Sequence, residues 1–133
     1  MIKPNLSIIS PVYNCAEFLS VAYISLCNQS FSDWEWIIVD DGSTDNLSSL
    51  VRELDDSRIK LYTLPRNMGR GYARNYCLMN ACSDIIVNWD IDDAYPSNRL
   101  SLIYEAHKCG AEFTYEPVRI TNSAGNVVRI LDY

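Results

Sequence analysis

Short apolar runs, each closed by a turn and followed by a stretch of helical spacing, recur from residue 6 to residue 108, and this alternation constrains the fold more than any other feature. Leu6–Ser10 reads as a first strand closed by Pro11, Trp34–Val39 as a second, Ile59–Leu64 as a third ended by Pro65, and Asp84–Trp89 as a fourth. Between and after them lie predicted helices over Glu17–Asn28, Asp45–Leu54, Gly71–Ala81 and Pro96–Lys108. The first carries Leu19, Ala22, Tyr23 and Leu26 on one stripe; the last carries Leu100, Ile103, Tyr104 and His107 on one face, with Cys109-Gly110 as its stop. Glu112–Thr121 and Val127–Leu131 flank Asn122-Ser123-Ala124-Gly125-Asn126 and read as a hairpin. Strand–helix alternation implies an α/β fold: a mostly parallel sheet with helices on both faces and right-handed crossovers, here ending in a β-hairpin.

At 133 residues there is room for one domain, and a chain of this size buries roughly two-thirds of its unfolded surface without disulfides or a structural metal. Apolar residues at 48% against 21% charged exclude a disordered tail. Eleven Lys and Arg against 17 Asp and Glu give a net charge of −6, which argues against nucleic acid as a partner and against general attraction to anionic lipid. An anionic ligand would need a specific Arg or a metal cation to overcome that repulsion. No apolar run approaches the roughly 18 residues of a membrane span, and the start has no signal-peptide h-region. Cys15, Cys27, Cys77, Cys82 and Cys109 form an odd set with no C-x-x-C pair, so they read as small buried hydrophobes in a reducing cytoplasm. His107 is the only histidine, and nothing beside it suggests a nucleophile relay.

In parallel sheets ligands sit beyond the carboxyl ends of the strands, and the unusual residues fall there: Pro11-Val12-Tyr13-Asn14, Asp40-Asp41-Gly42-Ser43 and Asp90-Ile91-Asp92-Asp93. Asp90, Asp92 and Asp93 crowd three carboxylates into four residues, and like charges so close raise one another's pKa. A hard divalent cation, Mg²⁺ or Mn²⁺, is the usual compensation and keeps positions open for phosphate oxygens; a solvated acidic turn is the plain alternative. Asp40-Asp41-Gly42-Ser43 could bind ligand N–H or hydroxyl groups, or simply make a turn with Ser43 or Asp45 capping the next helix. Asn67-Met68-Gly69-Arg70-Gly71-Tyr72-Ala73-Arg74-Asn75 puts Arg70 and Arg74 four apart on one helical face, where both could meet a diphosphate. It is not a dinucleotide fingerprint, because Arg74 stands where the third glycine belongs.

Ser7-Ile8-Ile9-Ser10-Pro11-Val12-Tyr13-Asn14, Val39-Asp40-Asp41-Gly42-Ser43-Thr44-Asp45, Arg66-Asn67-x-Gly69-x-x-x-Ala73-Arg74-Asn75 and Asp90-x-Asp92-Asp93, in this order, resemble the family 2 glycosyltransferases of GT-A fold. The resemblance covers nearly the whole chain. It implies a Rossmann-like nucleotide-binding half, a nucleotide-sugar donor with a UDP-sugar expected, and a Mn²⁺ or Mg²⁺ cofactor. It further implies transfer with inversion to a carbohydrate or glycolipid acceptor in polysaccharide or glycoconjugate synthesis. Pro11 and Tyr13 match residues beside the base, Asp40 and Asp41 the pair that meets base and ribose, and Arg74 the arginine of the A-R-N helix at the donor site. Asp90 and Asp92 match the D-x-D signature, with Asp92 the metal ligand and Asp90 toward the ribose; the metal set is thus Asp92 with Asp90.

The family's carboxylate general base lies well after the D-x-D loop, and the acids left in the tail, Glu116 and Asp132, sit in no matching motif. The catalytic base is therefore expected beyond Tyr133, and residues 1–133 are expected to be the donor-binding portion of a longer enzyme, weakly active or inactive alone. The expected location is the cytoplasm, with any association with the inner face of the membrane running through further regions. Two other classes share parts of the pattern. A signalling receiver would need an acidic pair after the first strand and a late lysine. A haloacid-dehalogenase-like phosphatase using Asp90 and Asp92 would carry that motif after the first strand rather than the fourth.

Overall fold

The computed structural model describes residues 3–115, 118–121, 124 and 127–131. In chain order these form β1 (Leu6–Val12), a 3-10 turn (Ala16–Phe18), α1 (Leu19–Cys27), β2 (Trp34–Asp40), α2 (Leu47–Glu53), β3 (Ile59–Thr63), α3 (Arg70–Asn80), β4 (Ile86–Asn88) and α4 (Arg99–Lys108). Two further strands, β5 (Val118–Thr121) and β6 (Val127–Leu131), pair antiparallel as the expected hairpin. The four-stranded sheet has the order β3-β2-β1-β4 and every pairing in it is parallel. Helices cover both faces, so the α/β architecture expected from the alternation is the one observed.

The central strands are apolar on both sides, as a sheet covered twice requires. Leu6, Ile8, Val12, Trp34, Trp36 and Ile38 point to the face packed by Leu19, Ala22 and Leu26 of α1, Leu47 and Val51 of α2, and Leu100 and Ile103 of α4. Ile9, Ile37 and Val39 point to the other face, where α3 supplies Ala73 and Cys77. That second face is covered more thinly. Its amino end carries a buried polar cluster instead: Glu35 accepts from Ser7 Oγ (2.5 Å) and the Cys82 amide (2.7 Å), and pairs with Lys60 at 2.6 Å. Burial alone would raise the Glu35 pKa, but these partners outweigh it and hold the carboxyl below its usual range.

Some boundaries differ from the sequence reading. Pro11 does not close β1, which runs on to Val12 with Pro11 level with Val39. The reason lies in hydrogen-bond direction. Ser7 N–H and Ile9 C=O face β4, so the missing N–H of Pro11 faces the same side, where β4 has already ended at Asn88. The helix expected from Glu17 starts as a 3-10 turn and becomes α-helical only at Leu19. The cysteines need a larger correction. Only Cys77 is buried; Cys15 is half-buried, Cys27, Cys82 and Cys109 are exposed, and all five are free. Cys27 and Cys109 sit at helix ends and Cys82 in the α3–β4 connection, where the inward positions belong to neighbours. Among the described residues no helix is long and apolar enough to cross a membrane.

Candidate functional site

A cleft of about 430 Å³ opens at the carboxyl ends of the strands. Pro11, Val12, Tyr13 and Cys15 line it from the end of β1, Asp41 from β2, Asn67, Arg70 and Ala73 from the start of α3, and Asp90 to Asp93 from the end of β4. The loops expected to converge on one rim do converge. Of the residues singled out in sequence, Pro11, Tyr13, Asp41, Asp90, Asp92 and Asp93 share the cleft. Asp40 and Arg74 are not among its lining residues.

Asp40 is buried and spends both oxygens inside the fold: Oδ1 accepts the Ser43 amide (2.8 Å) and Oδ2 the Ser48 hydroxyl (2.7 Å). It makes the turn. Asp41 reaches the other way, accepting the Met68 amide at 2.7 Å and the Gly69 amide at 2.9 Å, and so fastens the loop that carries Asn67 and Arg70 into the cleft. Next to this pair Gly42 adopts φ 72°, and a Cβ there would lie 2.5 Å from the carbonyl carbon of Arg66. Only a glycine lets these two loops touch.

A second set of bonds joins the β1 and β2 loops. Asn14, at φ 49°, donates its amide to Ser43 Oγ (2.9 Å) and accepts the Thr44 amide (2.8 Å), while Asp45 accepts the amides of Ala16 (2.9 Å) and Leu47 (3.2 Å). The capping role expected of Ser43 or Asp45 is not taken up, because Asn46 is the N-cap of α2 and makes no side-chain cap bond; Asp45 instead makes a turn onto the Leu47 amide and a tie to the preceding loop. Tyr13, 46% exposed, is left projecting at the cleft.

The acidic loop leaves β4 under tight control. Trp36 Nε1–H donates to Ser10 Oγ (2.8 Å), and that hydroxyl donates to the Trp89 carbonyl. Tyr95 Oη accepts the Asp90 amide (3.0 Å), and burial pushes its phenol up to about 12, so it stays protonated. Asp93 is held above the ordinary carboxylate range, first by partial burial and then by the charges of Asp92 and Asp90. On the other side Arg74 Nη2 stands 3.8 Å from Asp90 Oδ1, and its Nε is buried with no partner among the described residues. Arg70, one turn earlier, stands on the cleft wall.

Among the described residues no three acidic, histidine or cysteine side chains close on one point as a ready cage. A hard cation shared with a diphosphate needs only one or two carboxylates, and the crowded charge of Asp90, Asp92 and Asp93 on an open rim fits that demand. Sequence reasoning missed Cys15, a cleft residue whose thiol burial pushes up to about 11; the only signal was its place directly after Tyr13-Asn14. The tail acids Glu116 and Asp132, and Tyr133, beyond which the general base is expected, lie outside the described residues.

Comparison with known proteins bears on the family and the fold. A family model described as glycosyl transferase family 2 matches residues 7–126. An Escherichia coli protein named UDP-Glc:alpha-D-GlcNAc-diphosphoundecaprenol beta-1,3-glucosyltransferase WfgD is 36% identical over 118 residues, 88% of this chain and 47% of that protein. A Bacillus subtilis glycosyltransferase named for teichuronic acid biosynthesis, TuaG, is 33% identical across 84% of this chain and 46% of its own length. The crystal structure of S. aureus TarS 1-349 in complex with UDP superposes with a TM-score of 0.70 at 30% identity, covering 77% of this chain and 33% of that one. The chain spans less than half the length of the curated relatives it matches.

Proposed function

The chain belongs to glycosyl transferase family 2, and from that premise we propose that its cleft binds a nucleotide-diphosphate sugar, with UDP as the nucleotide, and serves sugar transfer to an acceptor hydroxyl with inversion. The observation that carries the reading is the convergence of Tyr13, Asp41, Arg70, Asp90 and Asp92 on one cleft at the strand ends. The UDP complex of TarS and the UDP-Glc donor in the name of WfgD support the choice of nucleotide. The diphosphoundecaprenol in that same name and the teichuronic acid biosynthesis of TuaG support a lipid-linked or polysaccharide acceptor, and the proposed place of reaction is the cytoplasm, at the inner face of the membrane.

In this reading Pro11 and Tyr13 form the wall for the base, Tyr13 offering its ring as a stacking surface. Asp41 takes the base or ribose edge on oxygens already oriented by the Met68 and Gly69 amides, and Asp40 acts beneath it by holding the turn. Arg70, with Arg74 behind it, faces the diphosphate. Asp92, with Asp90, would hold Mn²⁺ or Mg²⁺. Such a cation, when bound, supplies Lewis-acid stabilisation of the charge that grows on the leaving diphosphate. The residues assigned here all serve the donor, and the domain is read as the donor-binding portion. The base that deprotonates the acceptor is assigned to none of them; its proposed place is further along the chain than Tyr133.

Calorimetry with UDP tests the proposal. The wild type is expected to bind UDP in the presence of Mn²⁺, and Asp92→Ala to weaken that binding by about tenfold or more, the usual cost of removing a metal ligand's contribution. Affinity that is indifferent to both metal and substitution would overturn it.

A further inference from the structure

β4 pairs with β1 only as far as Asn88, and the Trp89 amide makes the last bond, to the Ile9 carbonyl (3.0 Å). The next amide, that of Asp90, has no strand to meet. It donates instead to Tyr95 Oη at 3.0 Å, and the same hydroxyl lies 3.5 Å from Asp93 Oδ2, so one phenol oxygen touches both ends of the acidic loop. The ring that carries it is clamped. Its centroid is 4.1 Å from the Trp89 ring, and the Arg99 guanidinium stands 4.4 Å above it while donating to the Asn88 carbonyl (3.1 Å). The approach to α4 therefore reaches the site through an aromatic side chain that does not line the cleft.

We propose that Tyr95 is the positioning residue of the acidic loop, its hydroxyl standing in for the absent strand partner and turning Asp90 and Asp92 toward the donor's diphosphate. The inference rests on the donor-site reading above. It assigns Tyr95 no contact with substrate; it acts through the Asp90 amide. The ring and its stacking explain the fold of the loop, whereas the hydroxyl explains the orientation, and the two can be separated by removing one oxygen.

Tyr95→Phe keeps the ring and deletes the acceptor. In the 133-residue chain, calorimetry should show UDP affinity in Mn²⁺ reduced by about tenfold, UDP affinity in EDTA changed by less than about twofold, and a thermal midpoint within a few degrees of wild type. Amide exchange at Asp90 should quicken by about tenfold while that at Val87 holds. Wild-type affinity of the variant in Mn²⁺, an equal loss with and without metal, or unchanged exchange at Asp90 each overturns the proposal. Absence of Mn²⁺-dependent UDP binding in the wild type would instead sink the donor reading, and the exchange rates would still report on the brace itself.

Discussion

At the scale of single residues, the site depends on side chains whose chemistry is spent on other loops rather than on a ligand. Asp-Asp-Gly-Ser after β2 admits two readings, a ligand pair or a turn, and the structure divides them between neighbours: Asp40 is consumed by the turn, while Asp41 both lines the cleft and holds the Met68–Gly69 amides. Gly42 is the hinge of that division. A methyl group there would meet the Arg66 backbone at 2.5 Å on a residue already at positive φ, so both the conformation and the space are denied to any other amino acid. Gly42→Ala is expected to destabilise the domain by about 3 kcal/mol, the sum of left-handed strain and backbone displacement. Urea denaturation measures it, and a loss below about 1 kcal/mol would mean the two loops separate easily. The positive φ was foreseeable from Asp-Gly; the clash was not, because Arg66 is distant in sequence.

At the scale of elements, the strands and helices were legible because their apolar spacing reports directly on what each face buries. Leu19, Ala22 and Leu26 are buried as their stripe predicts, and so are Leu100 and Ile103. What spacing cannot carry is how elements are tied end to end. The loops at the strand ends were placed on one rim by topology alone, yet the bonds that fix them, Asn14 to Ser43 and Thr44 and Ala16 to Asp45, each join residues about thirty apart and have no local signature. The same is true of α1 and α4. Buried Gln29 donates to the Pro96 carbonyl (2.9 Å) and accepts the Leu100 amide (3.1 Å), closing the end of one helix onto the first turn of the other. Gln29→Leu keeps the volume but leaves the Leu100 amide unpaired and the Pro96 carbonyl with only the Arg99 amide (3.1 Å), and should cost about 1–3 kcal/mol of stability by denaturant unfolding. Gln29→Glu keeps the acceptor but sets a buried carboxylate against the Ser25 and Pro96 carbonyls, and should cost at least as much at pH 7.

At the scale of the whole molecule, the two ends of the sheet do different work. The carboxyl ends gather acid around the cleft, which gives the net charge of −6 part of its location; the amino ends pair their charges and carry stability. Asp56, just before β3, binds Arg58 at 2.7 Å and accepts the Tyr23 hydroxyl of α1 at 3.1 Å, while Arg58 lies 3.8 Å over the Trp34 ring of β2. The Arg58 hydrogen bond is the main reason the Asp56 carboxyl is lowered to about 2 from an ordinary 3.8, outweighing a smaller opposing effect of burial. In the unfolded chain Asp56 takes up its proton near pH 3.8, before the folded chain does, so the folded state gains from this group above that pH and loses the gain as pH falls toward 2. Arg58 is partly exposed, so solvent screening trims the contribution to about 1 kcal/mol. Asp56→Asn should therefore be less stable than wild type by about that amount at pH 7, and the gap should close between about pH 4 and pH 2 in a series of thermal midpoints. Because Asp56 lies at the end of the strands away from the cleft, the same substitution should leave UDP affinity in Mn²⁺ at the wild-type value. A fall in that affinity would show that the two ends are coupled, and that the acidic rim is held by more than the loops that line it.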